Sequence, residues 1–326
     1  MPINPVILFN DRLQVFEKDF LYDISQINLL SKFNKCFNIG YLTIIVSSNR
    51  KEILEIFDAY YDFQSKVRNN TSVALIKLNI GPELSLNSKN FTWLYEKEGI
   101  LKGKDEFNSI IYKYKGVTMI KSYDNHLMEV VSNSIEDLIA SLPVLTKVIE
   151  GLIIDNYLGL GYFPIHSSFV ANEKEAHLIL GNSQSGKTTF AENLRDQAFQ
   201  VLSDEITLIS LYEVIPFGQY IKKYVNSSDK SCVECFNGVY REVNRIETKI
   251  EELPDINKIY LMKLSTNKTG IEELTNESTK IQLLTEYLHD IPNEYFINRS
   301  ISYFLLTELV KKLVNIKFFI KYSEYR

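Results

Sequence analysis

Apolar and polar residues change rhythm near residue 134. Before it, short runs rich in Phe, Tyr, Ile and Val alternate with turn signals such as "NIG", "NIGPELSLNSKN" and "EGILKGKDE". Within this part "IIYKYKGVTMIKSYDNHLMEVVS" reads as short strands about a Gly turn. The pattern predicts an α+β amino-terminal domain over residues 1–135. A helix is expected to open at Ser134, an N-cap with Asp137 three residues on, and to run through "IEDLIASLPVLTKVIEGLIIDNYLGLG". Pro143 is expected to kink or interrupt it. Then "FPIHSSFVA" and "EAHLILG" predict strands, "KTTFAENLRDQ" a helix, "QVLSDEITLIS" another strand, and "YEVIPFGQYIKKY" follows. Strand, Gly loop, helix and strand in that order predict an α/β nucleotide-binding core within residues 136–326. Further on, "NKIYLMKLS" reads as a strand and "SYFLLTELVKKLVNIKFFIKY" as a helix with lysines on one side.

Composition narrows the class. A chain of 326 residues is long for one core and comfortable for two. Apolar residues at 45% and charged residues at 24% fit a globular protein with ample surface to bury. A net charge of -5 argues against a broad nucleic-acid surface, which needs clustered Lys and Arg. The amino terminus lacks a basic region and its apolar run breaks at Asn10 and Asp11, so no secretory signal is expected. The longest apolar runs are too short to span a bilayer or are interrupted by Asp155, and a cytoplasmic protein is expected. Three cysteines, Cys36, Cys232 and Cys235, fit reduced thiols; "CVEC" has metal-ligand spacing but no second pair completes four ligands.

The chemistry concentrates in "LILGNSQSGKTT". Gly181, Asn182, Ser183, Gln184, Ser185, Gly186, Lys187 and Thr188 satisfy G-x-x-x-x-G-K-[ST], and Thr189 continues the stretch. Such glycines let successive N–H groups turn inward around phosphate oxygens, where Lys187 would reach the β and γ phosphates of ATP and the Thr188 hydroxyl would ligate Mg²⁺. The guanine-selecting N-K-x-D is missing, since "NKIY" and "NKTG" lack the Asp, and neither an LSGGQ-like signature nor a later strand with an obvious Walker-B Asp is found. Instead Asp204 and Glu205 close "VLSDE", so the carboxylates are expected at the end of a strand neighbouring the loop. Phosphoryl transfer needs a carboxylate that accepts the proton of the attacking hydroxyl, and Asp204 suits that task, with His166 holding it in position. Alternative readings are a solvated strand end for the acidic pair and a satisfied core imidazole for His166.

These pieces resemble the catalytic domain of the HPr kinase/phosphorylase family, related in fold to phosphoenolpyruvate carboxykinase. The likeness is carried by "IHSSFV", "LILGNSQSGKTT", "VLSDE" and "VIPFGQYIKKY", over about residues 150–224. It implies a P-loop kinase core with a mixed sheet. It further implies His166 as the active-site His, Lys187 and Thr188 as the phosphate and magnesium residues, Asp204 as the acid/base and Glu205 near the metal. Thr189 stands where HPr kinases carry Glu, and their Arg-Gly-Leu-Gly-Ile signature is missing, so a divergent relative is implied. Some members of the wider group phosphorylate Ser in ribosomal peptides and others free serine. The leading expectation is an ATP-dependent, Mg²⁺-requiring kinase acting on a Ser or Thr hydroxyl of a peptide or small protein. A small-molecule kinase and a nucleotide-gated binding protein are the alternatives. Lys222, Lys223, Arg241 and Arg245 are candidate contacts for an acidic substrate or solvated surface groups, and a homo-oligomer is left open.

Overall fold

The computed structural model describes residues 32–55, 72–81, 91–105, 109–122, 127–182, 184–217, 220–224, 233–236, 239–245, 253–288 and 300–324. Ser183, Cys232, His126 and His289 lie outside them, as do the side chains of Cys235, Lys222, Lys223, Arg241 and Arg245. The protein is α/β with mixed sheets of parallel and antiparallel strands. It divides into two compact units, Met1–Asn156 and Tyr157–Arg326.

The first unit holds an eight-stranded sheet. Its strands are β1 (Phe33–Ile39), β2 (Leu42–Ser48), β3 (Ser72–Ile80), β4 (Thr92–Lys97), β5 (Ile100–Lys104), β6 (Ile110–Tyr114), β7 (Val117–Lys121) and β8 (Leu127–Ser132), in the order β1-β2-β3-β8-β7-β6-β5-β4. Strands β2, β3 and β8 run parallel, and the other pairs are antiparallel. Alternation makes the core: Leu42, Ile44 and Val46 of β2 are buried, as are Ala74, Ile76 and Leu78 of β3. The segment predicted as strands about a Gly turn forms β6, β7 and β8, with Lys115 and Gly116 at positive φ between β6 and β7.

Helix α1 (Ile135–Gly159) opens as expected, with the Asp137 N–H donating to Ser134 Oγ at 3.0 Å. Pro143 does not interrupt it. Asp155, the charge that breaks the apolar run, is buried and paired with Lys121 of β7. A buried carboxylate needs such a partner, since an isolated charge in the interior is costly. Among the described residues no helix is long and apolar enough to cross a membrane.

The second unit is built on a seven-stranded sheet ordered β12-β11-β9-β10-β16-β18-β17. These are β9 (Phe163–Ala171), β10 (Ala176–Leu180), β11 (Gln200–Ile209), β12 (Val214–Phe217), β16 (Ile256–Ser265), β17 (Gly270–Leu274) and β18 (Lys317–Glu324). Strands β10, β16 and β18 are mutually parallel, whereas β9, β11, β12 and β17 pair antiparallel. Strands β13 (Tyr220–Tyr224), β14 (Val233–Phe236) and β15 (Val239–Arg245) form a separate three-stranded sheet. Among the described residues three helices complete the unit: α2 (Lys187–Asn193), continued by a 3₁₀ turn over Leu194–Gln197, α3 (Glu277–Leu288) and α4 (Ser300–Val314). Val170, Ile179, Ala191, Leu194, Phe199, Val201, Tyr260 and Met262 form one buried cluster that fastens α2 to the sheet. Burying such side chains contributes about 1.5–3 kcal/mol each for the larger ones.

The carboxy-terminal run is not one helix. Helix α4 stops at Val314, the Asn315 side chain caps back onto the Lys311 carbonyl, and "KFFIKYSE" forms β18 between β16 and β17. Aromatic and β-branched residues there fit a strand, and pairing on both edges overrides the helical spacing of the preceding turns.

His177 of β10 is 2% exposed and packs on Phe199 and Tyr260. Its Nε2 meets Glu175 at 3.0 Å, while Nδ1 has no partner among the described residues. Burial pushes its pKa below the usual 6.5, against the raising pull of Glu175. The folded protein therefore binds fewer protons here than the unfolded chain, so stability is full above about pH 6.5 and is lost as pH falls through it. Urea unfolding at about pH 8 and about pH 5.5 should show the loss, and His177→Phe should flatten it.

Candidate functional site

Strand β10 ends at Leu180, and the loop that follows is shaped by three backbone positions with positive φ: Gly181 at 150°, Gln184 at 64° and Gly186 at 92°. Gly181 is also required by space. A Cβ there would lie 2.4 Å from Ser185 Oγ and 3.0 Å from the Met262 Cβ. The Ser185 N–H donates to the Asn182 carbonyl at 3.1 Å, closing a turn, and Phe190 N–H donates to Gly186 O at 2.9 Å as α2 begins. Ser185 is 4% exposed and its hydroxyl has no partner among the described residues. Thr189 follows on α2.

Lys187 folds back over this loop. Its Nζ donates to the Gly181 carbonyl at 2.7 Å and the Asn182 carbonyl at 3.0 Å, and lies 3.1 Å from His166 Nε2. With Lys187 as an ammonium, which has three donors and no acceptor, His166 Nε2 is the acceptor of this contact. Burial draws the Lys187 pKa down, and the nearby Asp204 and Glu205 carboxylates push it up.

The acidic pair sits in the middle of β11 rather than at a strand end, because β11 continues to Ile209 between β9 and β12. Nor does β11 neighbour β10: β9 lies between them. Asp204 reaches the loop through a change of register. Val201 pairs with Val170 and Ser203 with Phe169, so Leu202 is an extra residue in the ladder. Val201 packs in the cluster under α2, and regular alternation from it would send residue 204 to the other face. The slip brings Asp204 opposite Ser168, on the α2 side.

There Asp204 is 4% exposed. Ser168 donates to its Oδ1, and Thr188 Oγ1 donates to its Oδ2 at 2.8 Å. Burial raises its pKa, the two hydroxyl bonds lower it, Glu205 raises it and Lys187 lowers it. A hydrogen bond to a charged acceptor stabilises by about 1.5–3 kcal/mol. The ladder sets His166 opposite Ile206 and Ser168 across from Asp204. His166 also meets Lys187 through Nε2.

Glu205 has φ of 113°, a region that side-chain-bearing residues rarely enter. Its carboxylate acts on both Lys187 and Asp204, although regular alternation would separate it from Asp204. On the opposite face Ser167, Ser203 and Thr207, all 0% exposed, join hydroxyl to hydroxyl at 2.8 and 2.9 Å. On α3, Tyr287 places its hydroxyl 3.4 Å from Asn182 Oδ1.

The structure thus gathers the loop, Lys187, Thr188, His166, Asp204 and Glu205. It adds Ser168 and Tyr287, which the sequence reading did not single out. A register of two antiparallel strands would have flagged Ser168; nothing local to the sequence marks Tyr287. Among the described residues no group of three or more His, Cys, Asp or Glu is arranged to hold a metal. The Thr188 hydroxyl and the Glu205 carboxylate are oxygen donors of the kind a hard cation takes.

Gly181→Ala tests the loop geometry without reference to activity. The clash and the positive φ should lower stability by about 1–3 kcal/mol, read as a lower urea midpoint with unchanged slope. No protein-family model matches the chain, and no curated protein matches it.

Proposed function

We propose that the second unit is a P-loop kinase core that transfers the γ-phosphate of ATP to a Ser or Thr hydroxyl of a peptide or small protein. One observation carries the reading: the Thr188 hydroxyl, last residue of the G-x-x-x-x-G-K-T loop, bonds a buried carboxylate two strands away at 2.8 Å. A strand-to-helix turn without a ligand has no need of a buried carboxylate against it, whose desolvation costs free energy. The donor set also fits the groups the reaction uses. Lys187 and the loop offer donors to phosphate oxygens, the Ser185 hydroxyl, without a partner among the described residues, lies within the loop, and Thr188 and Glu205 offer oxygens to Mg²⁺.

When bound, Mg²⁺ would neutralise phosphate charge between the nucleotide and these oxygens. Lys187 exchanges its two loop carbonyls for phosphate oxygens. His166, accepting at Nε2, aims the ammonium while that exchange occurs. Asp204 accepts the proton of the acceptor hydroxyl; its burial, by raising its pKa, brings it nearer the strength a base needs at neutral pH. Glu205 adds negative charge beside Lys187 and the metal oxygens. The first unit is the candidate for recognising the acceptor.

The test compares wild type, Lys187→Ala and Asp204→Asn by nucleotide binding and by mass spectrometry of native-host peptides after incubation with Mg-ATP. Lys187→Ala should lose nucleotide binding. Asp204→Asn should bind within about threefold of wild type yet lose about 10²–10⁴ in transfer. Retained transfer in Asp204→Asn refutes the assigned base, and labelling of free serine alone makes the acceptor a small molecule.

A further inference from the structure

We propose that Ser168 is a positioning residue: its hydroxyl fixes the orientation of the Asp204 carboxylate toward the phosphate loop, independently of what the loop holds. The assignment of Asp204 as base rests on the kinase reading; the positioning itself rests on geometry.

A carboxylate on one strand can rotate about its terminal torsion, and only partners on both oxygens hold it. Asp204 has one on each. Thr188 supplies the first, but it belongs to the loop helix and would also serve the cation, so its hydroxyl answers to the ligand. Ser168 supplies the second from β9, which is paired on both edges, to β11 and to β10. Its backbone is therefore fixed whether the loop is filled or empty. Ser168 is 0% exposed, so bulk water has no path to replace its hydroxyl. A hydroxyl has one proton to donate, and this one goes to Oδ1. The slip at Leu202 is what places the two residues opposite each other.

Ser167, the next residue, provides a matched control. It is equally buried on the same strand, yet its hydroxyl bonds Thr207 on the far face and not the site. Ser168→Ala and Ser167→Ala thus remove the same atom from the same depth. The probe is Mg-ATP alone, with ADP formation measured as water takes the phosphate, and crystal structures of both variants give the Asp204 pose.

Ser168→Ala should lower kcat by about 10- to 100-fold with KM for Mg-ATP within about twofold, while Ser167→Ala stays within about threefold of wild type. The Asp204 carboxylate should leave its pose in the first variant and keep it in the second. An equal loss in both variants would make Ser168 merely structural and overturn the proposal, as would Ser168→Ala with wild-type kcat and an unmoved Asp204. If wild type itself forms neither ADP nor phosphopeptide, the kinase reading fails. The pose then decides alone: a displaced carboxylate sustains the positioning role, and an unmoved one ends it.

Discussion

The pairing of β9 with β11 governs the second unit, because a slip of one residue at Leu202 decides which face every later side chain of β11 meets. With the slip, Asp204 stands across from Ser168 and beside Thr188. Without it, the carboxylate would point to the face where Ser167, Ser203 and Thr207 form their hydroxyl cluster. That cluster helps hold the register. Its hydroxyls are fully buried, and a register that separated them would leave polar groups unpaired at about 1–3 kcal/mol each.

Burial then sets the electrostatics. Water is excluded from both Asp204 and Lys187, and desolvation acts on each toward its neutral form, raising one pKa and lowering the other. Their mutual attraction opposes that trend, as do the Ser168 and Thr188 bonds on the acid. Glu205 raises both, opposing the loss of charge that burial favours at Lys187 and adding to the upward push on Asp204. It does so from a strained backbone at φ of 113°, in the strand position next to the buried acid. Strain of this kind costs of order 1–3 kcal/mol and persists only where the surrounding structure over-determines it. Here the ladder to β9 continues on both sides of Glu205 and enforces it.

Much of this was legible in the sequence, and the limits have physical causes. Strands β9, β10, β11 and β16, the Ser134 cap and the loop followed from apolar runs and turn chemistry, which are local. The acidic pair and His166 were legible as candidates, but their partners were not. Which residue faces Asp204 depends on a register slip that no Gly or Pro marks, and alternation counted from Val201 gives the wrong face. The end of α4 was missed for a related reason. Helical spacing in "SYFLLTELVKKLV" runs without a strong breaker into "KFFIKY", whose strand character is realised through pairing with β16 and β17. Pro143 lies inside a continuous helix and does not interrupt it. A Pro removes one hydrogen bond, and a helix of 25 residues with a largely buried face tolerates that loss.

The loop's own hydrogen bonds bear on what it selects. All three Lys187 donors have partners within the chain, two carbonyls and the His166 Nε2. A ligand therefore gains nothing by offering Lys187 another neutral acceptor, since that exchanges like for like and disrupts the loop. An anionic oxygen does gain, because a charge-assisted bond is roughly twice as strong as a neutral one and low polarity magnifies the difference. Under the kinase reading, Thr188 and Ser168 satisfy the carboxylate and the loop carbonyls satisfy the ammonium, so the buried charges are paired within the chain and the loop favours a charged ligand over a neutral one.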